Sequence, residues 1–129
     1  MIDGEDFFQE LKIIAIKKLK PGETVGYNGT FKATRPTVVG VVRGGYANGI
    51  PIQFSNSVNV LVGKEKCSVI GRVCMDYFFI DLTNINKPLS KQVTIISNSP
   101  GQTLIEMAEA TGMVTCDLLL SLQKISNVN

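Results

Sequence analysis

A mainly β domain that closes with one or two short helices is predicted, on three observations. Short β-rich segments recur from Leu11 to Ser97, turn-forming residues separate them, and the hydrophobic period lengthens to that of a helix only after Thr103. The segments are Leu11 to Leu19, Thr24 to Ala33, Thr37 to Arg43, Val58 to Val62, Lys66 to Val73, Asp76 to Leu82 and Gln92 to Ser97, with β-branched and aromatic residues prominent throughout. Pro21-Gly22, Asn28-Gly29, Asn48-Gly49, Gly63-Lys64 and the stretch from Asn84 to Pro88 supply the turns, because glycine and asparagine tolerate positive φ and proline fixes its own. This spacing suits a sandwich or a barrel.

Val38-Val39-Gly40-Val41-Val42 is apolar on both alternating faces, so burial on two sides is expected, in a barrel or against another domain. Beyond the strands, Thr103 and Glu106 form a capping box, Leu104, Met107, Ala108 and Thr111 follow at helical spacing, and Gly112 stands where a C-cap belongs. Asp117 to Leu122 reads as a shorter helical or extended segment. Residues 1–10 are polar around a Phe7-Phe8 pair and are expected to be a lead-in or linker stub, with residues 11–129 as one domain.

With 13 basic and 11 acidic side chains the chain generates no strong field, and neither nucleic acid nor membrane is an expected partner. Lys12, Lys17, Lys18 and Lys20 are interleaved with Ile13, Ile14 and Ile16 and read as a solvated strand face, with a weak contact to an anionic surface as the alternative. Cys67, Cys74 and Cys116 form no C-x-x-C pair and no histidine is present, so neither a disulfide framework nor a metal site is expected. The start is acidic rather than basic and the apolar runs are short, which points to the cytoplasm and makes the sequon at Asn28-Gly29-Thr30 a coincidence.

Chemistry is harder to find. Arg43-Gly44-Gly45-Tyr46-Ala47-Asn48-Gly49 invites a phosphate-loop reading but lacks the lysine and hydroxyl of such loops, and a tight turn is the plainer interpretation. Asp76 and Asp81 lie five apart, on opposite faces of an extended strand, which argues against a carboxylate dyad. Tyr27 and Tyr46 could carry protons, but a phenol titrating near ~10 needs a neighbouring cation or donor to act as a base at neutral pH.

Three motifs change the picture. Pro21 to Phe31 (PGETVGYNGTF), Gly45 to Gly49 (GYANG) and Val69 to Asp76 (VIGRVCMD) occur in order, and together they resemble the C-terminal domain of the alanine racemases, over Leu11 to about Ile125. The resemblance implies a Greek-key-like β-barrel domain that, in a homo-oligomer, covers a (β/α)8 barrel domain holding pyridoxal phosphate on a lysine, with L- and D-alanine as substrates. It implies that Tyr27 is the catalytic base toward L-alanine. It likewise implies that the Met75 backbone amide holds the substrate carboxylate, that Cys74 and Asp76 shape that loop, and that Tyr46 and Arg72 line the entrance. No set of residues here resembles the cofactor-binding lysine segment, so no cofactor is expected on this chain alone, and the isolated chain is expected to be inactive.

The sequence departs from the family pattern at three places. Asn48 stands where the family has an acidic residue, Ile50-Pro51-Ile52-Gln53 where it tends to have arginine, and Leu122 where an aromatic is common. These differences motivate a second reading, a non-catalytic binding or regulatory module derived from the same domain. A lysine or serine racemase of the same fold also stays open, with Tyr46 favouring alanine.

Overall fold

The computed structural model describes residues 11–85 and 91–127, and for Tyr27, Ser126 and Asn127 the backbone alone. The lead-in expected over residues 1–10 and the end of the Asn84–Pro88 turn lie outside the described residues. The strands are β1 (Leu11–Leu19), β2 (Thr24–Val25), β3 (Phe31–Lys32), β4 (Thr37–Arg43), β5 (Asn59–Val62), β6 (Glu65–Ile70), β7 (Tyr77–Asp81) and β8 (Gln92–Thr94), and two helices follow, α1 (Leu104–Thr111) and α2 (Thr115–Gln123). Six strands close into an antiparallel barrel in the order β1-β4-β7-β6-β5-β8. Within it, β5, β6 and β7 run as consecutive neighbours and β8 returns to lie beside β5, which is a Greek key. Closure removes the unpaired edges that an open sheet would present.

Two hydrophobic clusters share the wall of this barrel. Inside, Leu11, Val42, Val60, Phe78, Ile80 and Val93 pack together, and Phe54, Met107, Leu118 and Leu122 reach the same cluster from a loop and both helices. Full burial of a side chain such as Phe78 contributes about 1.5–3 kcal/mol. Outside, Val39 and Phe79 pack with Leu19, Val25, Ala33 and Ile70, so the small β2–β3 hairpin covers the outer surface of β4 and β7. This double use explains why β4 is apolar on both faces. The lysines of β1 are exposed.

Several boundaries differ from expectation for local reasons. The β-rich segment from Thr24 to Ala33 is two short strands around a 3-10 turn at Tyr27–Gly29, at the Asn28-Gly29 turn signal, where Gly26, Asn28 and Gly29 all take positive φ, at 89°, 57° and 64°. β6 stops at Ile70 because Gly71 turns away at a φ of 74°. The segment expected over Asp117–Leu122 is helical and longer, as α2, and a 3-10 turn at Ile52–Phe54 had no sequence counterpart. No helix among the described residues is long and apolar enough to cross a membrane.

The start of α1 is held as its capping box predicts. Thr103 Oγ1 accepts from the Glu106 N–H at 3.2 Å, while Glu106 Oε1 accepts from the Thr103 hydroxyl at 2.8 Å and from the Gly101 N–H at 2.9 Å. The Thr103 hydroxyl first, then the Gly101 amide, hold the Glu106 carboxyl below its ordinary range. Just before the helix, the buried side chain of Gln102 donates to the carbonyls of Asn59 and Ile95, both at 2.9 Å, tying β5 to the segment after β8.

Two stability predictions follow from these contacts. Gln102→Leu leaves both carbonyls without their donor and is expected to cost about 2 kcal/mol, seen as a lower urea midpoint at unchanged slope. Because folding favours ionised Glu106, its contribution is present above the unfolded carboxyl pKa and is lost as pH falls through the lower folded value. Glu106→Gln is therefore expected to melt below the parent at neutral pH, with the gap closing in acid; a gap that stays constant with pH would contradict this.

Candidate functional site

Past the end of β4 and before the start of β7, the ladder between these strands continues as contact between two loops. The Gly44 N–H donates to the Asp76 carbonyl at 2.8 Å, that of Tyr46 to Cys74 at 3.0 Å and that of Ala47 to Met75 at 3.0 Å. Gly45 sits so close to the facing chain that a Cβ there would collide with the carbonyls of Cys74 and Met75. The Asn48 side-chain oxygen accepts from the Gly45 N–H at 3.1 Å, and a 3-10 turn over Tyr46–Asn48 closes on Gly49 in the left-handed region.

The backbone amides of the glycine-rich stretch are all committed. The N–H groups of Asn48, Gly49 and Ile50 donate to carbonyls of Gly45 or Tyr46 in the same turn, so every amide from Gly44 to Ile50 has an internal acceptor. A phosphate cradle needs free amides. The stretch is a tight turn that presents Tyr46.

Tyr46, Arg72, Cys74 and Met75 line one open cleft of about 630 Å³, together with Ile52, Val73 and Tyr77. Met75 is 53% exposed and Tyr46 46%, and among the described residues the Met75 N–H has no acceptor. The Cys74 thiol leans on the Arg72 carbonyl at 3.6 Å and the Cys74 amide donates to the Tyr77 carbonyl at 2.9 Å, which holds the loop between β6 and β7 as a hairpin-like bend. Asp76 is exposed and contributes to this bend through its carbonyl. Tyr77 meets Phe79 edge-on, at 5.5 Å and 77°. Tyr77 and Phe79 alternate to the same face of β7.

The turn carrying Tyr27 stands beside this loop. A Cβ on Gly26 would come within 2.8 Å of the Arg72 nitrogen and 2.9 Å of the Gly71 Cα, so glycines at both positions bring the β2–β3 hairpin and the 71–76 loop into backbone contact. The Tyr27 backbone is in the 3-10 turn; its side chain lies outside the described part of the structure.

Other reactive groups sit apart from the cleft. Cys67 is buried in the barrel, and desolvation, then the charges of Asp81 and Glu65, push its thiol up to about 11, so it is protonated at neutral pH and unsuited as a nucleophile. Asp81 accepts from the Thr83 amide at 2.9 Å and lies 3.8 Å from Arg35, a structural role remote from Asp76.

Comparison with known proteins bears directly on this rim. Residues 9–128 match the family described as Alanine racemase, C-terminal domain. An alanine racemase of Xylella fastidiosa is 38% identical over 115 residues, which cover 88% of this chain and 31% of that protein. Solved structures of alanine racemases show the same fold: that from Acinetobacter baumannii has a TM-score of 0.76 at 34% identity, covering 90% of this chain and 31% of its own. That from Bartonella henselae, with covalently bound pyridoxal phosphate, has a TM-score of 0.78 at 27% identity, covering 86% and 31%. The chain thus spans just under a third of the length of these relatives. The closed antiparallel barrel, the helices behind it and the sequence match agree, and this chain belongs to the alanine racemase C-terminal domain family.

Proposed function

We propose that this chain is the domain of an alanine racemase that completes the active site formed on a (β/α)8 barrel, supplying a tyrosine base and the rim of the substrate pocket. The observation that carries the proposal is the convergence of Tyr46, Arg72, Cys74 and Met75 on one cleft, with the Tyr27 turn in backbone contact with the same loop. Among the described residues no lysine lines this cleft, and a Schiff base needs an amine, so these residues do not fit pyridoxal phosphate as a resident of this chain. The cofactor belongs to the partner barrel, and the assembled enzyme is a cytoplasmic homo-oligomer.

Within that assembly each residue has a definable task. Tyr27 takes the α-proton of L-alanine on its phenolic oxygen, which requires a barrel-side cation to lower its pKa. The unused Met75 N–H is a preorganised donor for the substrate carboxylate, and the nearby Arg72 guanidinium adds favourable charge along the approach. Tyr46 and Ile52 narrow the entrance, which favours a small side chain. Asn48, which replaces an acidic residue, still accepts the Gly45 amide as a carboxylate would, and Leu122 is fully buried. The departures at Asn48 and Leu122 are thus compatible with an intact domain.

The chain alone is expected to show no racemisation. Mixed with a folded, pyridoxal-phosphate-loaded barrel it is expected to interconvert L- and D-alanine, and Tyr27→Phe is expected to lower turnover of L-alanine by about 10²–10⁴-fold. A coupled D-alanine assay reads both. Activity without the barrel, or silence in the complete mixture, would count against the proposal, and silence would favour the binding-module alternative.

A further inference from the structure

The loop that follows β6 is captured by side chains rather than by a strand. Three successive amides each find a side-chain acceptor: Gly71 N–H donates to Asn56 Oδ1 at 2.7 Å, Arg72 N–H to Thr30 Oγ1 at 2.6 Å and Val73 N–H to Ser55 Oγ at 2.8 Å. The Asn56 side-chain nitrogen in turn donates to the Thr30 carbonyl at 3.1 Å. One side-chain amide therefore joins two segments, since its oxygen holds the loop leading to Met75 and its nitrogen holds the hairpin that carries Tyr27. A side-chain amide offers both an acceptor and a donor from one planar group.

The base of this bridge is fixed. Phe54, two residues earlier, is fully buried in the barrel interior, and Asn56 takes a φ of 52°, a left-handed conformation that asparagine tolerates better than most residues. The Gly26–Gly71 contact leaves no room for intervening atoms, so small movements of either segment pass directly to the other.

We infer that Asn56 is a positioning residue of the reaction, its side-chain amide setting the separation between the Tyr27 turn and the loop that presents the Met75 amide. The inference rests on the racemase reading above. Proton transfer by Tyr27 and carboxylate capture by Met75 act on the same small molecule, and their separation must be held to a fraction of an ångström for both to engage it at once.

Two variants separate the bridge from its parts. Glycine adopts the left-handed conformation freely, so Asn56→Gly removes the hydrogen bonds without straining the backbone. Asn56→Asp keeps an acceptor for the Gly71 amide but has no donor for Thr30 and sets a carboxylate against its carbonyl. Amide exchange by NMR in the full chain, with circular dichroism to confirm folding, is expected to quicken at Gly71 by about 10-fold in Asn56→Gly and to stay protected in Asn56→Asp. In the complete mixture with the barrel, both variants are expected to lose about 10-fold in kcat for L-alanine, with a smaller change in KM.

If Asn56 serves only the backbone conformation, Asn56→Gly will match the parent in exchange and kcat; if it serves only to cap Gly71, Asn56→Asp will recover full kcat. Either result overturns the inference while the parent mixture remains active. A silent parent mixture overturns the racemase reading instead, and the positioning role with it.

Discussion

Strand β4 must satisfy two cores at once, and most of the architecture follows from that. Val42 points into the barrel with Phe78 and Ile80, while Val39 points outward to Phe79 and the hairpin residue Val25. A strand apolar on both faces is stable only if something covers the outer one. The cover here is the β2–β3 hairpin, and the hairpin's tip is the turn that carries Tyr27. Hydrophobic burial on the outside of the barrel therefore places the candidate base beside the 71–76 loop, and polar contacts adjust the fit.

Those polar contacts differ in kind from the ladders of the barrel. Between β4 and β7 the hydrogen bonds are those of any antiparallel pair, and they are indifferent to side-chain identity. Beyond the strand ends, Asn48, Ser55, Asn56 and Thr30 replace missing strand partners with side-chain oxygens. Each such bond is modest in net free energy, about 0.5–1.5 kcal/mol. Their importance lies in geometry, since they fix loops that no strand or helix would hold.

How much of this was legible in the sequence depended on the range of the interaction. The strand cores, the Thr103–Glu106 cap and the Gly112 stop are local patterns, and they appear where periodicity and capping chemistry place them. The end of β6 was misplaced because Gly71, at positive φ, breaks an otherwise apolar run, whereas the turn at Asn28-Gly29 lies where its residues signalled it. Tyr46, Arg72, Cys74 and Met75 were singled out through resemblance, and periodicity alone could not have brought them together, because their convergence depends on pairing between residues about thirty apart in the chain. The bridging role of Asn56 had no sequence signal, since an asparagine between serines looks like any turn residue.

The saturated backbone from Gly44 to Ile50 separates two properties that proteins often entangle. Because each amide of that turn is already committed, the turn cannot reorganise around a ligand without breaking bonds on the opposite loop. From this turn only side chains are left to face the cleft, and Tyr46, with Ile52 and Tyr77 beside it, is bulky and mostly apolar. Single side chains on this rim can therefore be exchanged while its hydrogen-bonded frame stays constant, so that the lining of the cleft can change without any rebuilding of the fold.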